Sequence, residues 1–156
     1  MASPFPDAAR VISANSLTLS GDRNEPEVTN VREVVKSDEM FDGQLRRSVF
    51  GSVDVPAQND RPLDEPSAAG SGIVRPGGIN AYFLDLAPGF TTPMHRTVST
   101  DFLLVHRGTA TVITPEGPYN VFDGKADYAS VTETTCTEGE VIIQRGQMHA
   151  SFEQQD

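Results

Sequence analysis

Tryptophan is missing from this chain of 156 residues, cysteine occurs once and histidine only three times. The single cysteine, Cys136, rules out an intramolecular disulfide and is compatible with a reducing compartment. It has no histidine near it in sequence and lies in a Thr/Glu-rich stretch, so an inert thiol is expected rather than a nucleophile. No apolar run approaches the ~20 residues of a membrane-spanning helix. Met1 to Pro6 contain neither a basic segment nor an apolar one, which speaks against a secretory signal. The expected location is the cytoplasm. Cations are also scarce: 12 Lys and Arg face 22 Asp and Glu, for a formal net charge of −10. Such a surface repels phosphate backbones and anionic lipid, so neither nucleic acid nor a membrane is expected as a partner. The acidic residues are spread along the chain, as in a solubilising surface. Helical periodicity of useful length is absent, and so are internal repeats.

Turn-forming residues are plentiful. With 13 Gly and 11 Pro, the sequence favours short strands over long helices. Strand-like pieces are expected at Arg10–Ile12 and Leu17–Leu19, separated by Ala14-Asn15. Val28–Lys36 fits a strand or a short helix, and Leu45–Val53 includes a strand. Pro56 to Gly78 is rich in Pro, Gly, Asp and Ser and is expected to be a long surface loop. Ile79–Leu86 is a strand closed by Pro88-Gly89. Asp101–Val105 is almost continuously apolar, which predicts burial on both faces. Strands are further expected at Thr109–Thr114, Tyr119–Phe122, Tyr128–Val131, Val141–Gln144 and His149–Phe152, with a hairpin turn at Asp123-Gly124. The length suits one domain, and strands resume directly after the loop. The expected class is all-β, a sandwich or a closed barrel.

Two stretches carry more than fold. In the first, Pro88 to Gly108 (PGFTTPMHRTVSTDFLLVHRG), Gly89 is followed after five residues by His95. Thr97 comes two positions on, Asp101 four beyond that, and Gly108 closes the run. In the second, Gly139 to His149 (GEVIIQRGQMH), a Gly-Glu turn leads along a strand to His149. These spacings resemble the two sequence motifs of the cupins. Thr97 stands where that family has its second histidine, Asp101 where it has a glutamate, and Glu140 where it has an aspartate. The pair MHRT-x-S-x-D and QRG-x-x-H resembles a subgroup of small single-domain cupins common in fungal secondary metabolism. The likeness spans about residues 10–152.

The resemblance implies a jelly-roll β-barrel made as one domain, residues 1–156. Its core covers about 79–152, with N-terminal strands and the long loop over 10–78. The long interval from Gly108 to Gly139 implies an extra hairpin at Asp123-Gly124. The resemblance also implies a homodimer formed through exchanged strands, and a small organic molecule bound at the barrel mouth. Cupins carry out many reactions, so fold does not select one.

The residues narrow the choice. Alternate residues of a strand share a face, so His95 and Thr97 are expected to point together. If the two stretches meet, His149 joins His95 and Asp101. Two imidazoles that titrate near neutrality, with a carboxylate to orient one of them, suit dehydration, isomerisation, cyclisation or decarboxylation. A polyketide-like or aromatic substrate follows from the subgroup. In that reading His95, Asp101 and His149 are catalytic, and Thr97, Tyr82, Gln144 and Arg145 contact substrate. Arg145 would clamp a carboxylate or phenolate. The first alternative is an oxidoreductase with a divalent metal (Fe, Mn, Ni or Zn) on His95, Asp101 and His149. Thr97 is a poor ligand and Asp is about 1.5 Å shorter than Glu, so metal-free chemistry is favoured. The second alternative is a ligand-binding cupin without catalysis. Arg96 and His106 are out of phase with the site and are expected outside it.

Overall fold

The computed structural model describes residues 5, 11–18, 27–55 and 73–153. Among them strands are the only regular element, and each pairing with a defined register is antiparallel. The all-β class expected from the sequence is therefore observed, in an arrangement compatible with a sandwich or jelly roll. The chain forms two compact units, Met1–Asp85 and Leu86–Asp156.

The first unit opens with β1 (Val11–Thr18) and β2 (Glu27–Val34), joined in an eight-residue ladder from Val11↔Val34 to Thr18↔Glu27. Two short pieces were expected where β1 runs unbroken. Ala14 and Asn15 are poor strand formers, yet each has a cross-strand partner, Val31 and Asn30, and the ladder overrides local preference. Arg10 and Leu19, the ends of the expected pieces, lie outside the described residues. Of the expected Val28–Lys36 element, Val28 to Val34 lie in strand β2, and Val35 and Lys36 follow it. Next come β3 (Asp38–Phe41) and β4 (Gln44–Ser52), a hairpin turned at Asp42-Gly43 and bulged between Glu39 and Phe41. Gly43 has a φ of 101°, a backbone region that glycine enters without strain. β5 (Ile79–Leu86) completes a sheet of order β3-β4-β5. Most of the expected Pro56–Gly78 loop, residues 56–72, lies outside the described residues. Its end, 73–78, consists of bends and a turn.

Inside this unit Arg47 Nε donates to Asp85 Oδ2 at 2.8 Å, tying β4 to β5. Asp85 is buried, so the pair matters mainly through what its breakage would leave behind, a buried charge without its counter-ion. The Arg75 guanidinium lies against Gly51, where a Cβ would come within 2.8 Å of Cζ. A Cβ on Gly78 would collide with the carbonyl oxygen of Ser52. Gly78 has no room for a side chain, whereas at Gly51 the group met is the end of the flexible Arg75 side chain.

The second unit contains β6 (His95–Arg96), β7 (Thr100–Leu104), β8 (Thr109–Pro115), β9 (Asn120–Phe122), β10 (Lys125–Asp127), β11 (Val131–Thr137), β12 (Val141–Arg145) and β13 (Met148–Glu153). One sheet has the order β11-β8-β13-β6, β7 pairs with β12, and β9 with β10 forms the extra hairpin. Asp123 (φ 48°) and Gly124 (φ 72°) both take positive φ, as a tight hairpin turn requires. The expected strand Tyr128–Val131 is corrected: Tyr128 lies between strands, and β11 begins at Val131. The sequence VTETTCT has few apolar residues, but its β-branched Val and Thr suit an extended backbone, and all seven pair with β8.

The buried apolar residues of this unit are small: Ala87, Val105, Val112, Cys136 and Ala150. Polar residues are buried beside them, namely Thr92, Thr97, Thr111, Gln144 and His149. The expected burial of β7 on both faces is not found. Its exposure alternates, with Phe102 at 72% and Leu104 at 60%.

Gly78→Ala should lower unfolding free energy by about 3 kcal/mol, since the Ser52 backbone must move to admit a methyl group. Gly77→Ala, at a φ of +70° with nothing within 4 Å, should cost only about 1 kcal/mol through backbone strain. Urea denaturation of both variants checks the order; equal losses would show that the Gly78 contact relaxes freely.

Candidate functional site

The site lies in the second unit and is assembled by two ladders. In the first, β13 meets β6 through Met148↔Arg96 and His149↔His95. Directly opposed residues of an antiparallel pair project to the same face. The two imidazoles accordingly stand with ring centroids 4.4 Å apart, tilted by 56°. In the second ladder, β12 meets β7 through Gln144↔Asp101, so these two also share a face.

The approach to β6 is anchored before the strand begins. Thr92 N–H donates to the Ser151 carbonyl at 2.9 Å, and Ser151 N–H donates to Thr92 Oγ1 at 2.9 Å. Thr91 bridges to Phe152. These contacts hold residues 91–92 along β13 and set the path by which His95 arrives opposite His149.

Each imidazole is then oriented by a backbone carbonyl two residues earlier. His95 Nδ1 lies 2.7 Å from the Pro93 oxygen, and His149 Nδ1 lies 3.1 Å from the Gln147 oxygen. A carbonyl can only accept, so in the neutral rings Nδ1 carries the proton and Nε2 keeps its lone pair. Both rings thus take the same tautomer with a basic Nε2. His149 is 5% exposed. Burial, the largest influence, pushes its pKa below the usual 6.5, and the nearby His95 acts in the same direction. The Gln147 carbonyl and the negative charge of Asp101 oppose that shift.

Asp101 is itself held. Ser99 Oγ donates to Oδ1 at 2.6 Å and Thr97 Oγ1 donates to Oδ2 at 2.9 Å. Thr97 was expected to touch substrate; its hydroxyl instead fixes the carboxylate. Ser99 was not singled out, although its spacing two residues before Asp101 is that of a hydroxyl able to reach back from a turn. Gln144 is the single large side chain of the described residues that is fully buried, at 1% exposure, and its Nε2 has no hydrogen-bond partner.

Arg145 is exposed and follows Gln144 in the strand, so it projects from the opposite face of β12. Tyr82 is half-buried on β5, in the first unit. Arg96 and His106 are exposed, as expected. Glu140 closes a turn by accepting the Thr137 N–H and hydroxyl, which lowers its pKa.

Among the described residues, no three His, Cys, Asp or Glu side chains come together in a way that could hold a metal ion. Both Asp101 oxygens already receive hydroxyl hydrogen bonds. As they stand, His95, Asp101 and His149 do not fit a facial triad. Compared with family models and with curated proteins, the chain matches none.

The depressed pKa of His149 makes a signed prediction. The unfolded chain binds a proton to this residue more readily than the folded one. The contribution is complete above 6.5, the ordinary value, and declines as pH falls below it. Glu116 and Glu140 have lowered values, so they lose stability only below 4.5. Denaturation at about pH 7.5 and about pH 5.5 should show a fall in stability that His149→Gln reduces. An equally steep fall in the variant would assign the slope to another group.

Proposed function

We propose that the second unit carries out proton-transfer chemistry on a small organic molecule, with His149 and His95 as its acid–base pair. One observation carries this reading: two imidazoles 4.4 Å apart, each fixed at Nδ1 by a backbone carbonyl, each keeping a basic Nε2. A packing role would not need both rings in the same tautomer.

The geometry supports the following steps. Burial keeps His149 neutral at rest, so its Nε2 can accept a proton from a substrate carbon or oxygen. Asp101 favours the imidazolium that then forms. Ser99 and Thr97 hold that carboxylate so that its field need not be reorganised during the reaction. In this reading His95 exchanges a proton at a second substrate atom. Such a pair supports dehydration, isomerisation, cyclisation or decarboxylation, that is, lyase or isomerase chemistry. The buried side chain of Gln144, whose Nε2 has no partner, suits the recognition of a molecule bearing oxygen atoms.

The likeness of the two sequence stretches to cupin motifs supports a cupin barrel, and with it a tailoring role in secondary metabolism on a polyketide-like or aromatic substrate. Cys136 as a free thiol agrees with a cytoplasmic setting. A metal-dependent oxidoreductase finds less support. The two Nε2 atoms suit metal ligation, but among the described residues no third ligand is assembled with them.

The test is hydron exchange. The protein is incubated in D2O with a panel of β-keto and phenolic compounds, and deuterium uptake is read by mass spectrometry. Wild type should promote exchange in at least one compound. His95→Gln and His149→Gln should each slow it by about 100-fold or more, with unfolding midpoints close to wild type. Full exchange in either variant would remove that residue from the mechanism. Binding of panel members by wild type without any exchange would reduce the site to a ligand-binding one.

A further inference from the structure

We propose that Gln144 holds the carbonyl oxygen of the substrate, and that the site selects uncharged carbonyl compounds with a hydrogen on the adjacent carbon over the corresponding carboxylates. This role and this substrate class rest on the acid–base reading of the histidine pair.

Gln144 is 1% exposed, and its Nε2 has no hydrogen-bond partner. A buried donor left unpaired lowers stability, and a leucine would fill similar space without that loss. Strand pairing fixes where the side chain points. Gln144 stands opposite Asp101 in the β7–β12 ladder, so both project to one face. Asp101 accepts from Thr97, on the same stretch as His95, and its charge reaches His149. The unpaired N–H donor thus belongs to the same group of side chains as the two imidazoles.

Charge sets the class. Between Leu86 and Glu153 the Lys and Arg residues are Arg96, Arg107, Lys125 and Arg145, and all four are exposed. Arg145, the cation expected to clamp a carboxylate, projects from the face of β12 opposite to Gln144. The hydroxyls of Thr97 and Ser99 already donate to Asp101. What faces a ligand is therefore a neutral amide donor beside a carboxylate. An amide N–H bonds a carbonyl oxygen without needing charge on it. Asp101 repels an anion brought in from water.

With the carbonyl oxygen on Gln144 Nε2, His149 Nε2 takes a proton from the adjacent carbon. The C–H bond breaks, its electron pair forms a C=C bond, and the π pair of the carbonyl moves onto oxygen. The amide N–H holds that oxygen, a contact that strengthens as charge develops there. The enolate arises together with the His149 imidazolium, so no net charge enters the site, whereas a carboxylate would carry its charge in. Return of the proton to the same carbon gives exchange. Its delivery further along a conjugated enolate gives isomerisation. Neither outcome needs another reactant.

Binding of acetophenone and α-tetralone to the full chain, each against its alcohol and against benzoate or α-naphthoate, tests this. Wild type should bind the ketones about 10-fold or more tighter than the carboxylates. The infrared stretch of an isotope-labelled carbonyl should fall in frequency on binding. The side-chain amide signals of Gln144 in the NMR spectrum of wild type should move with added ketone, a readout that needs no variant. Gln144→Leu should bind the ketones about 10-fold more weakly, lose the frequency shift, and slow hydrogen exchange of the ketones in D2O by about 100-fold. Without ligand the same variant should unfold at a higher temperature than wild type, the opposite of what loss of a structural glutamine would do. A wild type that binds none of the ketones, or prefers the carboxylates or the alcohols, overturns the proposal. So do amide signals that stay fixed, undiminished ketone binding in Gln144→Leu, or a variant less stable than wild type. A carboxylate preference lost in Arg145→Gln would move recognition to Arg145. Ketone binding with the shifted stretch, but without exchange in wild type, upholds the Gln144 contact and removes the acid–base reading instead.

Discussion

The position of His149 depends on register, and register in a strand is unforgiving. Side chains alternate faces, so a slip of one residue in β13 would turn His149 away from His95. The ladder between β13 and β6 is only two residues long, Met148↔Arg96 and His149↔His95, and is too short to resist such a slip alone. Resistance comes from the rest of β13. Four further pairs, Ala150↔Ile113 to Glu153↔Ala110, lock it to β8, and the reciprocal bonds between Thr92 and Ser151 lock it to the chain entering β6. Ala150, the residue after His149, is 4% exposed. A slip would exchange that buried methyl for an imidazole. The histidine pair is thus held in place by packing and pairing one residue away from it.

The interior that results is more polar than a packing core requires. Apolar residues buried in the second unit are small, whereas Gln144, Thr97 and His149 are buried among them. Each buried polar group must find a partner or cost about 1–3 kcal/mol. The Thr97 hydroxyl finds Asp101, and His149 finds the Gln147 carbonyl. Gln144 Nε2 finds none. Departures from good packing of this kind gather where a protein does something besides fold. That supports placing the proposed chemistry here, beside the histidine pair.

Much of this was legible in the sequence, for reasons that differ by element. Ile79–Leu86 and Val141–Gln144 were clear because turn residues bracket short apolar runs. The hairpin at Asp123-Gly124 was clear because that dipeptide tolerates the required φ. The same signal at Asp42-Gly43 went unused, and β3 was missed with it, because Asp38–Phe41 holds two acids and little apolar pattern. Strand β11 was missed because its alternation is carried by Thr and Glu. The meeting of His95 with His149 followed from motif spacing, and the structure pairs them. The role of Thr97 did not follow. Spacing assigns a residue to a face, but only coordinates show that a hydroxyl is already engaged by a carboxylate four residues on. Arg145 failed similarly: neighbours in a strand point to opposite sides, so Gln144 and Arg145 could not both face one site.

The expected burial of β7 exposes a general limit. A run such as DFLLV reports that both faces of a strand avoid water; it does not report what covers each face. In the chain considered alone, Asp101 and Leu103 turn inward while Phe102 and Leu104 meet solvent. The partner strand shows the same asymmetry, with Ile142 and Gln144 inward and Val141 and Ile143 outward. Two strands distant in sequence share one apolar outer face, in register, on a chain otherwise dense in acid. Chance exposure of single hydrophobic residues is ordinary; here four stand in two opposed pairs.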